Sequence, residues 1–281
     1  MAGSTLRITA LCLAALAGLA GSPAIHPAEL PAGSTDPATS PVLRAYSARY
    51  AVYRNGKLTG KADVTLQRQG ERWVMRSQGS GTHGLARILA ARDDEEVLGH
   101  LVDGHLRPER YTRHTRVAGI DDHWQVAFDW AERRVSIVHD RKDPLVLEMV
   151  GLPLDPLSLK LEMRRRLSQP GTPLQFHMVE EDEIDEQNFR LLPGEWMETS
   201  LGCLRTTPVE KIRKNSKRYT RAWHAPDLDF IEVRVEHGKT GGNHLEMRIT
   251  ELTLGRDEVA PRPGCAALQA SGADGQVPPG P

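Results

Sequence analysis

A period of two governs this chain. Residues 46–54 are rich in Tyr, Val and Ala, and Asn55-Gly56 follows. The return segment alternates Leu58, Gly60, Ala62, Val64 and Leu66 with Lys57, Thr59, Lys61, Asp63, Thr65 and Gln67. Asn-Gly suits a type I′ turn, since both residues accept positive φ. Such alternation describes an antiparallel strand with one buried and one wet face. Asp103-Gly104 predicts a second turn of this kind, between residues 95–102 and 105–117. A third strand sets Trp124, Val126, Phe128 and Trp130 against His123, Gln125, Ala127 and Asp129. Ile231, Val233 and Val235 alternate with Glu232, Arg234 and Glu236, and Leu245, Met247 and Ile249 with His244, Glu246 and Arg248.

Helical signals are few. Residues 84–91 allow about two turns. Residues 156–167 are better marked: Asp155 can cap, Pro156 takes the first helical position, and Arg164, Arg165 and Arg166 complement the negative end. Many strands with one or two short helices predict an all-β protein. Its form is a strongly curved antiparallel sheet or open half barrel, with one helix packed against it or plugging it.

The two ends read differently. Residues 1–24 carry Arg7, an apolar small-residue stretch and Ser22-Pro23-Ala24, the layout of a cleaved signal peptide. Residues 25–44 form a Pro-rich linker, 45–255 a single β domain, and 256–281 a disordered tail rich in Pro, Gly and Ala. No later segment is long and apolar enough to span a bilayer. The expected location is the periplasm. There an oxidising environment permits a disulfide between Cys203 and Cys265, although a core thiol and an incidental tail thiol account for the pair equally well. A formal net charge of -1 argues against nucleic acid as a partner.

Few motifs carry chemistry. Gly79-Ser80-Gly81-Thr82-His83-Gly84 matches G-x-G-x-x-G, but the helix after it is too short for a parallel crossover. Histidines at 83, 100, 105, 114, 123 and 139 invite a metal. With no H-x-H or H-E-x-x-H among them, they read as solvent-facing side chains, His100 and His105 sharing a face of the second hairpin. No metal, cofactor or catalytic residue is assigned. Two charge clusters stand out. Glu180, Glu181, Asp182, Glu183, Asp185 and Glu186 crowd one turn, and Lys211, Arg213, Lys214, Lys217, Arg218 and Arg221 crowd a hairpin with its tip at Asn215-Ser216. They are solvated tips or a contact for phosphate-bearing envelope components or a charged protein partner.

Four segments carry a family resemblance: Tyr50-Ala51-Val52-Tyr53 leading to Gly56 and Gly60, Phe128-Asp129-Trp130, Asp155-Pro156-Leu157-Ser158, and Trp223-His224-Ala225-Pro226-Asp227-Leu228. In this order the chain resembles a bacterial family, domain of unknown function 3108, over residues 46–254. The resemblance implies an exported protein with no established activity, built like the lipid-binding half barrels of the cell envelope.

The leading expectation is a non-enzymatic periplasmic binding protein for an apolar or amphipathic envelope molecule, or for an envelope partner protein. Small residues on apolar faces (Gly60, Ala62, Gly79 and Gly99) are expected to enlarge a cavity lined by Leu58, Gly60, Ala62, Val64, Trp124 and Phe128. Lys211, Arg213, Lys214, Lys217 and Arg218 are the expected charged contact. The alternatives are an envelope hydrolase with unidentified carboxylates, and a structural or assembly factor acting through its charged tips.

Overall fold

A computed structural model describes residues 43–140, 142–213 and 217–270. The expected signal peptide, nearly all of the linker, Lys214 and the end of the tail lie outside the described residues. Eight strands form a meander: β1 (Tyr46–Arg54), β2 (Lys57–Gln69), β3 (Arg72–Gly81), β4 (Arg92–Val102), β5 (His105–Val117), β6 (Ile120–Asp129), β7 (Arg134–His139) and β8 (Lys142–Glu148). Each is antiparallel to the next. Three of the turns are two-residue turns with both residues at positive φ: Asn55-Gly56 at 49° and 75°, Asp103-Gly104 at 51° and 75°, and Ala118-Gly119 at 52° and 80°. That geometry matches the right-handed twist of the flanking strands. Ala118 lacks the local side-chain bonding that helps Asn and Asp hold such a φ, so the sequence hides the third turn.

After β9 (Pro153–Leu154) the chain enters a helix and returns through β10 (Gln175–Val179), β11 (Ile184–Leu191), β12 (Glu195–Thr199), β13 (Gly202–Lys211), β14 (Arg218–Ala225), β15 (Ile231–Lys239), β16 (His244–Leu254) and β17 (Asp257–Glu258). β16 pairs with the free side of β1, and β15, β14, β13 and β11 follow in turn. β12 pairs with the start of β13 and β10 with β11, while β9 runs parallel to β10. Among the described residues no pairing joins β8 to β9. The result is one long, curved, open sheet of barrel-like form.

Three short helices accompany it: α1 (Gly84–Ile88), α2 (Pro156–Leu167) and α3 (Cys265–Ala270). α2 plugs the concavity. The Asp155 carboxylate accepts hydrogen bonds from the backbone N–H of Leu157 and Ser158, 3.0 Å each, which sets the helix start. Leu157 and Leu161, at 1% and 0% exposure, enter the main core with Tyr46, Trp73, Tyr111, Trp124, Val126 and Phe128. On its other side Met163 joins Leu154, Phe176 and Val209. A helix buried on both sides is a wall of the core rather than a lid.

The expected disordered tail is corrected over residues 256–270. β17 pairs with β16, Cys203 N–H donates to Pro263 O at 3.0 Å, Arg262 pairs with Asp227 at 3.0 Å, and a disulfide joins Cys203 to Cys265. Covalent and hydrogen-bonded ties order a composition that could not order itself. One strand face also departs from expectation. Glu246, placed on the wet face of β16, is 3% exposed because Arg234 and Arg248 each hold it at 2.7 Å.

Candidate functional site

Two charged regions are the candidates, one inside the sheet and one at its edge. Inside, Leu157, Leu161 and Arg164 fall at i, i+4 and i+7 on α2, so the arginine continues the buried stripe. Arg164 is 2% exposed, donates from Nε to Asp229 O at 3.0 Å, and lies over the Tyr46 ring at 4.9 Å. Its terminal nitrogens meet no acceptor in normal hydrogen-bond geometry, although their charge is felt at the Tyr46 hydroxyl. Lys160 pairs with Glu232 at 2.9 Å, and the Tyr50 hydroxyl donates to Glu232 O at 2.9 Å. Burial lifts the Tyr50 ionisation well above the ordinary tyrosine value. These residues, with Val64, Met75 and Met247, enclose only about 10 Å³, room for a single water.

The expected cavity residues fall mostly into packed core. Ala62, Val64, Trp124 and Phe128 are 5%, 4%, 8% and 7% exposed, and of these only Val64 touches the small void. Leu58 is 39% exposed at the rim, one pair from the turn, where a bulge at Val52/Tyr53 shifts the register. Gly60 and Gly99 do not open space. Gly60 lets the Ser80 carbonyl of β3 approach, and the room a side chain would take at Gly99 is filled by the Trp73 ring. Buried acids are spoken for as well. Asp155, raised to about 6 by burial, caps α2, and Glu95, raised by burial and then by Asp93, accepts from the Tyr111 hydroxyl at 2.8 Å.

At the sheet edge, β11, β13, β14 and the β15–β16 turn surround an open cleft of about 260 Å³. Arg190, Lys211, Arg213, Lys217 and Arg218 line it with Ile212, Tyr219, Thr240 and one carboxylate, Glu210. That carboxylate is held by Arg190 and by Arg221, the latter at 2.6 Å. Hydrogen bonding from Arg221 leads in keeping Glu210 below the ordinary carboxylate range. Lys211 is drawn down to about 8, first by burial and then by the charge of Arg213. Arg213 gives one hydrogen bond to Thr220 Oγ1 at 3.2 Å, while its buried Nε has none. Ile212, 50% exposed, forms an apolar rim. Glu180 and Asp185 of the acidic turn lie close enough to act on Lys211, so the two expected charge clusters face each other.

The cleft thus gathers Lys211, Arg213, Lys217 and Arg218, and adds Arg190, Tyr219 and Thr240, which sequence reasoning missed. Arg190 was findable only through the β11–β13 pairing, which sets Phe189 opposite Lys211. The glycine motif ends β3 and opens the five-residue α1, and β4 then returns antiparallel. His100 is engaged by Glu109 at 2.6 Å.

Against known proteins, the model of one family, "Protein of unknown function (DUF3108)", matches residues 46–250. No curated protein matches. Among solved structures, a β-barrel-like protein of domain of unknown function DUF1849 from Brucella abortus aligns with TM-score 0.51 at 8% identity, over 75% of this chain and 98% of its own. A protein of YmcC-like fold from Bacteroides fragilis, described as exported, aligns at TM-score 0.30 and 11% identity over 75% and 96%. A protein described as a lipoprotein from Parabacteroides distasonis gives 0.31 and 9% over 76% and 97%. The Brucella likeness supports a barrel-like fold and nothing finer. Among the described residues no helix is long and apolar enough to cross a membrane.

Proposed function

We propose that this chain, which belongs to the DUF3108 family of proteins of unknown function, is a non-enzymatic periplasmic binding protein that takes an amphipathic envelope molecule by its anionic head. The edge cleft carries this reading. Five cationic side chains surround about 260 Å³, and the one carboxylate among them is already neutralised by two guanidiniums. That volume falls just below the range of pockets that engulf a whole small ligand. It suits a phosphate-bearing headgroup whose acyl part stays outside, against Ile212. Arginine forks and a lysine point charge are the side chains that such an oxyanion needs. The void beside Arg164 holds only about 10 Å³, too little there for an acyl chain or a substrate.

The test is co-sedimentation with vesicles of phosphatidylglycerol and of phosphatidylcholine. Binding to the anionic vesicles alone, weakened by salt and by Lys217→Glu, supports the reading. Equal affinity for both vesicle types, or binding indifferent to Lys217→Glu and to salt, overturns it.

A further inference from the structure

The β5–β6 hairpin brings two imidazoles and a carboxylate together, remote in sequence from the cleft. The two-residue turn Ala118-Gly119 pairs Val117 with Ile120, and counting outward sets His114 directly opposite His123, with Asp121 two residues along on the same face. The imidazole rings stack with centroids 4.0 Å apart. His114 Nε2 is hydrogen-bonded to Asp121 Oδ1, and His123 Nε2 lies 3.9 Å from the same oxygen. One ligand atom from each residue falls within 4.8 Å of the others.

The orientation of His123 is fixed from behind. Asp140 Oδ2, at the end of β7, accepts from His123 N–H at 3.0 Å and from its Nδ1 at 2.8 Å. An Nδ1–H donated to a carboxylate leaves the Nε2 lone pair free and aimed at Asp121. This carboxylate–imidazole relay is the arrangement that orients histidines which hold metals. A span of 3.9 Å is too long for a hydrogen bond, yet two bonds of about 2.0–2.2 Å from one ion reach it.

We propose that His114, Asp121 and His123 form a site for a divalent transition-metal ion, zinc by donor preference. Two neutral imidazoles and one carboxylate are the donor set of an open zinc site, with a fourth position left for water or a further ligand. Binding replaces the proton shared by His114 and Asp121, and the half-exposed rings need only rotate to converge. Arg116 is the competing cation, at 3.5 Å from His114 Nε2 and 3.6 Å from Asp121 Oδ2. Its side chain is 48% exposed and can swing into solvent. The other cluster of possible ligands among the described residues, Glu236, His244 and Glu246, is a weaker candidate, since Glu246 is buried under Arg234 and Arg248.

Calorimetric titration of zinc chloride into tag-free, chelator-treated protein tests the site. One equivalent should bind saturably, and His114→Ala or His123→Ala should abolish it. Asp140→Asn, which keeps shape and all three ligands, should weaken binding about 10- to 100-fold, and Arg116→Ala should strengthen it. The proposal is overturned if the wild type shows no saturable binding, if binding survives the His114→Ala/His123→Ala double variant, or if Glu246→Gln removes it instead. Circular dichroism of each variant separates loss of the site from loss of the fold.

Discussion

The two concentrations of positive charge in this protein contain similar side chains and put them to opposite uses. In the concavity, Lys160 finds Glu232 at 2.9 Å, Arg164 finds a carbonyl and an aromatic face, and about 10 Å³ remains empty. At the sheet edge, Lys211, Arg213 and Lys217 surround about 260 Å³, and the nearest carboxylate is already taken by arginines. Charge with partners and no space fastens a helix to a sheet. Charge gathered around open space, where burial first and then Arg213 draw Lys211 down to about 8, is what the proposed anion would meet. The concave side of a curved sheet is therefore not automatically its binding side, because a single amphipathic helix can fill it.

The comparison breaks first on stability. Phe128→Ala, in the filled core, should cost about 3–5 kcal/mol, while Gln125→Ala on the opposite face should fall within ~0.5 kcal/mol of wild type. Urea unfolding measures both. Comparable losses would mean that the interior is looser than its packing indicates. Next comes Ala62→Trp. Ala62 is 5% exposed and does not touch the small void, so overpacking should cost about 1–3 kcal/mol. A tryptophan accepted at no cost, with fluorophore displacement by fatty acid changed, would show hidden space in the concavity and reverse the contrast between the two regions.

How far the contrast was legible in the sequence follows from the range of the interactions. The strands were readable because alternation and two-residue turns are local: Asn55-Gly56 and Asp103-Gly104 fold as their residue types require. The helix was readable to its ends, since Asp155 and Pro156 mark its start and Arg164, Arg165 and Arg166 suit its negative end. A helix plugging the sheet was one of the two expected placements. That Gly99 leaves no cavity was not legible, because Trp73 fills the space beside it from β3, across a connection that contains α1. Small residues on a strand face signal either a cavity or a close approach, and only the partner across the sheet decides. The basic cluster was visible as composition, but the contribution of Arg190 came from non-adjacent pairing. Cys265 read equally as a disulfide partner of Cys203 or as an incidental tail thiol, and the approach of the two Cα atoms to 4.7 Å decides for the disulfide.

A smaller effect probes how α2 is held. The Asp155 carboxyl is raised to about 6 because burial outweighs the hydrogen bonds from Ser158 and Leu157 that favour its charge. A carboxyl raised in the folded state binds its proton more readily there than in the unfolded chain, whose value is near 3.9. The contribution of this group is therefore most favourable below about pH 4 and is lost as pH rises to about 6. Asp155→Asn should flatten that part of the stability profile at a cost of about 0.5–2 kcal/mol for a weakened cap. An unchanged profile would mean that the helix is held by Leu157 and Leu161 alone.

The smallest effect on stability, and the sharpest on function, belongs to the cleft. Lys217→Glu should move stability by about 0–1 kcal/mol, as for an exposed charge, while weakening attachment to anionic vesicles. The lysine at about 8 adds a pH signature. Burial and Arg213 depress Lys211 in the folded chain, so it keeps its charge below about pH 8 and loses it above, where an unfolded lysine would still hold its proton. An anionic head favours the charged form. Attachment to phosphatidylglycerol vesicles, whose own charge is constant over this range, should therefore weaken as pH rises through about 8. Lys211→Arg carries a charge that does not titrate there, so it should remove the pH dependence and keep the binding. If the variant and the wild type weaken together, the fall lies elsewhere, and Lys211 is a buried rim residue rather than part of the headgroup contact.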